Sequence, residues 1–218
     1  MTQAFRRTTV HDPKMQPNPR EKIEPDNAVR DRVLDAAEEL FGTRSYQRTK
    51  VADVASAAGI ATGSLYSYFP GKRALLVELL HRLSRGLRSE MRRAIEDAST
   101  QSQREREAFL AFFHFLERHP HLFRIQRQVE FIAPEEYRSY FEELARAYAR
   151  AAKDAMVAGE MDPRFDPDVV AYTMYLGVPH FIGMRWVEWT EGRVPDDVAE
   201  QVLLLLNKAL RPDPNGHP

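Results

Sequence analysis

Cysteine is absent from the 218 residues, which removes disulfide frameworks and thiolate metal sites from consideration. Glycine is sparse, at ten residues, and builds neither a phosphate-binding loop nor a nucleophile elbow. No apolar run approaches the roughly 18–20 residues of a membrane span, and no charged-then-apolar leader opens the sequence. Neither sign of charge dominates: 31 Lys and Arg stand against 32 Asp and Glu, a net charge of -1. A cytoplasmic chain without cofactor or membrane partner is expected.

The near-zero total hides a division. Residues 28–98 carry twelve basic and nine acidic side chains, and between Gly42 and Leu75 Arg44, Arg48, Lys50, Lys72 and Arg73 face only Asp53. Local charge sets attraction to phosphate at contact range. A solvated charged face gives the same pattern, so charge alone does not decide. His114, His119 and His121 lie close together, but their spacing matches no zinc motif and no carboxylate converges on them. An enzyme is therefore the disfavoured class.

Residues 1–27, with Pro13, Pro17, Pro19 and Pro25, show no periodicity and read as a disordered tail in which Arg6 and Arg7 sit as a flexible arm. Residues 211–218 also read as loop. Almost everything between is helical. Val33, Leu34, Ala37, Leu40 and Phe41 recur at helical spacing, and Leu76, Leu79, Leu83, Leu87 and Met91 do so in a long helix over Lys72–Ala98. After a polar break at 99–103, Phe109, Phe112, Phe113 and Leu116 mark a helix that ends at His119–Pro120. Pro134, followed by Glu135 and Glu136, opens the next, which Gly159 stops. Asp166–Pro167 starts a largely apolar helix to Trp189, with a kink expected at Pro179. Pro195, Asp196 and Asp197 start the last one, running to about Leu210. No strand pattern and no repeat is evident, so the fold class is all-α.

Residues 51–70, VADVASAAGIATGSLYSYFP, fit a helix-turn-helix. Thr49 is placed to cap the first helix, and Val51, Val54 and Ala58 give it a buried side. Ala55 is small where the second helix crosses, and Gly59 supplies a left-handed turn. Ile60 and Leu65 pin the second helix, leaving Thr62, Gly63, Ser64, Tyr66, Ser67 and Tyr68 to face outward. Such a surface, with hydroxyls, tyrosines and no acid, suits a phosphate-lined groove. Core packing is the competing role for each tyrosine, and for Tyr46 the two stand even.

Arg32–Val33–Leu34, Ala36–Ala37, Leu40–Phe41, Tyr46, Thr49, Val51, Asp53–Val54–Ala55, Ala58–Gly59–Ile60, Gly63–Ser64–Leu65–Tyr66, Tyr68–Phe69 and Lys72 together resemble the N-terminal domain of tetracycline-repressor (TetR) family regulators. The resemblance covers about residues 30–76. It implies a three-helix DNA-binding domain at 28–75, then a helical ligand-binding and dimerisation domain at 76–211. By position it implies phosphate contacts from Thr49 and Lys50, approach to base edges by Thr62, Gly63, Ser64, Ser67 and Tyr68, and backbone anchoring by Tyr66 and Lys72. Two departures stand out. Ser45 occupies a position often held by glycine, and Ala61 and Thr62 stand where a capping serine and a basic residue are common.

Sixteen of the 22 aromatic residues fall between Phe109 and Trp189. A wide apolar cavity and a packed core both produce that enrichment. The resemblance favours a cavity for an apolar or amphipathic effector, with Phe112, Phe115, Phe131, Phe141, Tyr175, His180 and Met184 as candidate lining and Arg124 and Arg127 as candidate partners for a ligand anion. Val202–Leu206 is apolar on all sides, so one side is left for a partner. A homodimer through the last two helices is expected, with two reading heads about one turn, roughly 34 Å, apart or farther on double-stranded operator DNA. The function expected is a repressor that ligand releases from its operator.

Overall fold

The computed structural model describes residues 27–190 and 192–212. The expected tail with Arg6 and Arg7 lies outside the described residues, except that Asn27 already opens a helix, and 213–218 lie outside them too. Among the described residues there are helices and no strands. The chain forms α1 (Asn27–Arg44), α2 (Val51–Ala57), α3 (Thr62–Tyr68), α4 (Lys72–Ala94), α5 (Gln101–Arg118), α6 (Leu122–Ile132) and α7 (Pro134–Val157). A continuous helical run over 167–188, here α8, and α9 (Asp196–Leu210) complete it. None of these helices is long and apolar enough to cross a membrane.

The long helix α4 is the spine. Leu75, Leu76, Leu79, Leu80, Leu83 and Leu87 are all buried on it, a stripe wider than one helical face because α1, α5 and α6 all pack against it. Each fully buried leucine contributes about 1.5–3 kcal/mol. The helix stops at Ala94 rather than Ala98. Ile95 leaves helical geometry at φ -93°, ψ 0°, and Thr100 starts α5 by accepting the Gln103 N–H.

The segment between Pro120 and Pro134, which periodicity did not single out, folds as α6. Its start lies hard against α1: a Cβ on Gly42 would stand 2.2 Å from the His121 ring. The histidines are structural ties here, since His119 Nδ1 lies 2.7 Å from Glu38 Oε1 and His121 faces Glu39.

The α8 run alternates α turns, at Pro167–Val170 and Val178–Gly183, with π turns at Ala171–Gly177 and Met184–Glu188. Asp166 caps it, accepting the N–H groups of Asp168 and Val169. Pro179 has no N–H to give, and the interruption expected there takes the form of widened π turns on both sides. Gly159, at φ 71°, ends α7 as expected.

Candidate nucleic-acid interface and ligand cavity

The turn from α1 into α2 is built on Ser45, which adopts a left-handed φ of 77°. That is why glycine is common at this position: a Cβ costs about 1–2 kcal/mol there. Thr49 is fully buried, and its hydroxyl donates to the carbonyls of Ser45 (2.8 Å) and Leu40 (3.2 Å). Thr49 therefore neither caps α2 nor reaches a phosphate with its side chain; it locks the turn. The N-cap is Lys50, which is exposed, and its N–H donates to Asp53 Oδ2 at 2.9 Å.

Val54 and Ala55 bury completely and Ala58 nearly so, while Val51 and Ile60 pack at the edge of the core. Gly59 takes φ 70° and lets Ile60 N–H bond Ala55 O at 3.0 Å, closing the turn into α3. Ala61, at the α3 N-cap, offers no side-chain acceptor.

On α3 only Leu65 is buried. Thr62, Gly63, Ser64, Tyr66 and Ser67 are exposed, Tyr66 at 53%, and Tyr68 is half-buried. The helix therefore presents hydroxyls, a phenol and no carboxylate to solvent. Phe69 is core, with the Arg30 guanidinium over its ring.

Lys72 is half-buried and held. Its ammonium donates to the carbonyls of Tyr46 and Thr49 and sits over the Tyr46 ring. The free phosphate anchor expected at this position is thus a clasp between α4 and the α1–α2 turn. Tyr46 divides its roles as the sequence allowed: its ring packs on Phe41 while its edge stays half-exposed.

Between α4, α5, α6, α7 and α8 lies a cavity of about 990 Å³. Phe112, Phe141, Tyr175 and His180 line it, as expected. Three other expected residues do not. Phe115 is buried core stacked on His119 at 4.3 Å, Phe131 is 80% exposed at the end of α6, and Met184 packs against the core outside the cavity wall. Arg124 and Arg127 are also engaged elsewhere. Arg124 donates to Gly42 O at 2.7 Å, and Arg127 pairs with Glu188.

The lining that the sequence did not reveal comes from Leu87, Arg88 and Met91 on α4, Gln101 and Glu105 on α5, Phe123 and Gln126 on α6, and Tyr140 and Tyr148 on α7. The α7 residues Tyr140, Leu144 and Tyr148 recur at helical spacing, but such a stripe alone does not separate lining from core.

One part of the cavity wall is polar. The buried Glu105 carboxylate accepts from Gln101 Nε2 (3.0 Å) and Tyr175 OH (2.9 Å), with Arg211 at 3.4 Å. Burial first, then the Glu105 charge, pushes the Tyr175 hydroxyl far above its ordinary range, so it stays a neutral donor. Burial also raises the Tyr140 and Tyr148 hydroxyls. Burial, helped by the Arg127 charge, holds His180 below the usual histidine value, so it stands neutral against Phe123.

Helix α6 serves both regions. Phe123 and Gln126 face the cavity, whereas Arg124 and Gln128 hold the α1 end: Gln128 donates to Phe41 O at 3.0 Å and accepts the Tyr46 N–H.

Residues 33–79 match the family model described as "Bacterial regulatory proteins, tetR family". The chain is 27% identical over 196 residues to the HTH-type transcriptional repressor KstR2 of Rhodococcus jostii, covering 88% of this chain and 96% of that protein. KstR2 of Mycobacterium tuberculosis is 25% identical over 83% of this chain and 92% of its own length. The fatty acid degradation regulator FadR of Bacillus halodurans shares the fold, with a TM-score of 0.74 at 19% identity over 84% of this chain and 96% of that one. These relatives are transcriptional regulators rather than enzymes. Residues 33–79, which carry α2 and the hydroxyl-rich α3 of a helix-turn-helix, are thus similar to the DNA-binding region of TetR family regulators, and the chain shares the fold of FadR.

Proposed function

We propose that the chain is a homodimeric repressor that occupies duplex operator DNA through α3 and leaves it when an apolar or amphipathic small molecule fills the cavity. The observation that carries this reading is the double duty of α4 and α6. Each lines the cavity, with Arg88 and Met91 on α4 and Phe123 and Gln126 on α6. Each also grips the turn before α2, through Lys72 on α4 and Gln128 on α6. A ligand that moves either helix therefore changes the angle at which α3 is presented. The affinity change equals the ligand's preference for the non-binding state.

In this reading the division falls at 28–75 and 76–211, with α4 starting in the first part and ending in the second. Lys50, Thr62, Gly63, Ser64, Tyr66, Ser67 and Tyr68 form the DNA face, and Phe112, Phe141, Tyr175 and His180 belong to the ligand site. The partner surface is a second copy of this chain. Phe181 (66% exposed) and Trp189 (63%), on and just after α8, lie exposed, as do Leu204 (54%) and Leu205 (68%) on α9, and apolar exposure of this kind is what a two-fold interface covers. The similarity to KstR2, named a repressor, supports repression over activation.

The test is a mobility-shift assay on the DNA upstream of the chain's own gene, with scrambled duplex as competitor. A sequence-specific shift that Tyr66→Ala abolishes supports the reading. Equal binding to scrambled DNA overturns it.

A further inference from the structure

Two of the polar groups without partners on the cavity wall share that wall with Tyr140. Gln126 is 6% exposed and lines the cavity, yet only its Nε2 is engaged, donating to Tyr140 OH at 3.3 Å; its Oε1 has no partner. Reversing the amide merely transfers the deficit to the nitrogen. A buried amide atom left unpaired is costly, and proteins retain one where something else completes it.

Arg88 on α4 is the second. It lines the cavity half-buried, and among the described residues it has no carboxylate and no hydrogen-bond partner. Its charge nevertheless acts on the hydroxyls of Tyr140 and Tyr148 in the same wall. The remaining acids and bases of the cavity are differently placed: Arg92 and Asp154 are exposed, and burial keeps His180 neutral. Arg104 pairs with Glu160 at 2.6 Å, and Glu105 is saturated by Gln101, Tyr175 and Arg211. The half-buried, unpaired Arg88 and the free Gln126 amide atom thus line the same cavity as Tyr140 and the apolar Leu87, Met91, Leu144 and Phe112.

We propose that this cavity takes a carboxylic acid with an extended apolar body, its carboxylate seated on Arg88 beside the Gln126–Tyr140 pair. The carboxylate meets the guanidinium directly. The Gln126 amide reverses, so that its Oε1 accepts the O–H of neutral Tyr140 and its Nε2 gives an N–H to the second carboxylate oxygen. This rests on the reading of the cavity as the effector site and narrows the effector to an anion whose charged end lies at Arg88. A thioester of coenzyme A has no free carboxylate, and its nucleotide is too polar for that wall. Stearoyl-CoA is bound by the FadR of Bacillus subtilis, a structural neighbour at 20% identity and a TM-score of 0.67, so the distinction is one the experiment must make.

The test is calorimetric titration of the full-length protein with dodecanoic acid, 1-dodecanol and dodecanoyl-CoA, repeated on R88M and Q126L. The expected result is that the acid binds about 10–100-fold tighter than the alcohol and tighter than the thioester, the range that a charged hydrogen bond supplies. R88M should erase that preference while leaving alcohol affinity unchanged. Q126L should lower acid affinity alone and raise the melting temperature of the free protein, because it removes the unpaired atom; this variant decides the matter if R88M does not fold. Equal affinity for acid and alcohol, or a preference for the thioester, overturns the carboxylate seat but leaves the effector site standing. Binding of none of the three overturns the effector reading itself, and the inference with it.

Discussion

Lys72 Nζ donates to the carbonyl oxygens of Tyr46 at 2.8 Å and of Thr49 at 3.0 Å, and it stands 4.2 Å from the centre of the Tyr46 ring. One ammonium therefore ties the first turn of α4 to both ends of the segment that sets α2. Lys72→Met leaves the Thr49 carbonyl without a donor and the Tyr46 carbonyl with only the Thr49 N–H at 3.3 Å. The expected loss is about 1–3 kcal/mol of stability, read by chemical denaturation, together with weaker binding to specific and random DNA alike. Unchanged stability would show that the clasp contributes nothing in solution.

Lys50, by contrast, is exposed and its ammonium has no partner among the described residues. Lys50→Ala is expected to leave the melting temperature in place and to reduce the salt dependence of DNA binding by about one phosphate's worth. Ser64→Ala and Ser67→Ala are expected to change which base pairs are preferred, because in the proposed DNA face their exposed hydroxyls approach base edges. Measured on a library of half-site variants, uniform weakening would assign those side chains to positioning alone.

Ser45 is the residue at which stability can be gained. Its φ of 77° is one glycine adopts freely, and its side chain makes no hydrogen bond that glycine would lose; only its carbonyl is used, by Thr49. Ser45→Gly is expected to add about 0.5–1 kcal/mol, seen as a melting temperature a few degrees higher. A lower melting temperature would mean that the turn is not left-handed.

The reading head was legible because its logic is local. Gly59 turns the chain, Leu65 pins α3, and each role follows from residues a few positions away. Thr49 was misread for the opposite reason: its hydroxyl is used by Leu40, nine residues earlier, and only the folded turn brings the two together. The cavity was half legible. Aromatic enrichment identified Phe112, Phe141, Tyr175 and His180, but Phe131 has the same chemistry as Phe123 on the same helix and faces solvent. Which turns of α6 are covered depends on where α7 and α8 cross it, and no periodicity records that. Arg88 was counted only as charge, since nothing in a sequence says that an arginine will lack a partner.

His180 makes the stability of the cavity wall depend on pH. Burial, then the Arg127 charge, lowers its folded-state pKa, with Glu188 acting weakly the other way. The folded state binds this proton less readily than the unfolded chain does. Its contribution is therefore complete above the unfolded value of about 6.5 and falls as pH drops through the window between that value and the lower folded one. Wild type is expected to lose melting temperature from pH 7 downward, and His180→Gln is expected to lose less. Parallel pH profiles for the two proteins would remove His180 from the account.

Leu204 and Leu205 remain exposed on α9 although Val202, Leu203 and Leu206 beside them are buried. Two leucines held in water forgo about 1.5–3 kcal/mol each relative to burial, and in the proposed homodimer a second copy of the chain would recover that. A charged side chain at either position has no effect on the inner face of α9, so folding should persist. At the proposed two-fold interface it would meet its own symmetry mate, and like charges repel there. Leu204→Glu with Leu205→Glu is accordingly expected to give a folded monomer by sedimentation and circular dichroism. That monomer should hold a single half-site far more weakly than the dimer holds the full operator, because the second head no longer binds as an intramolecular event. A double variant that sediments as a dimer would place the interface elsewhere on the molecule.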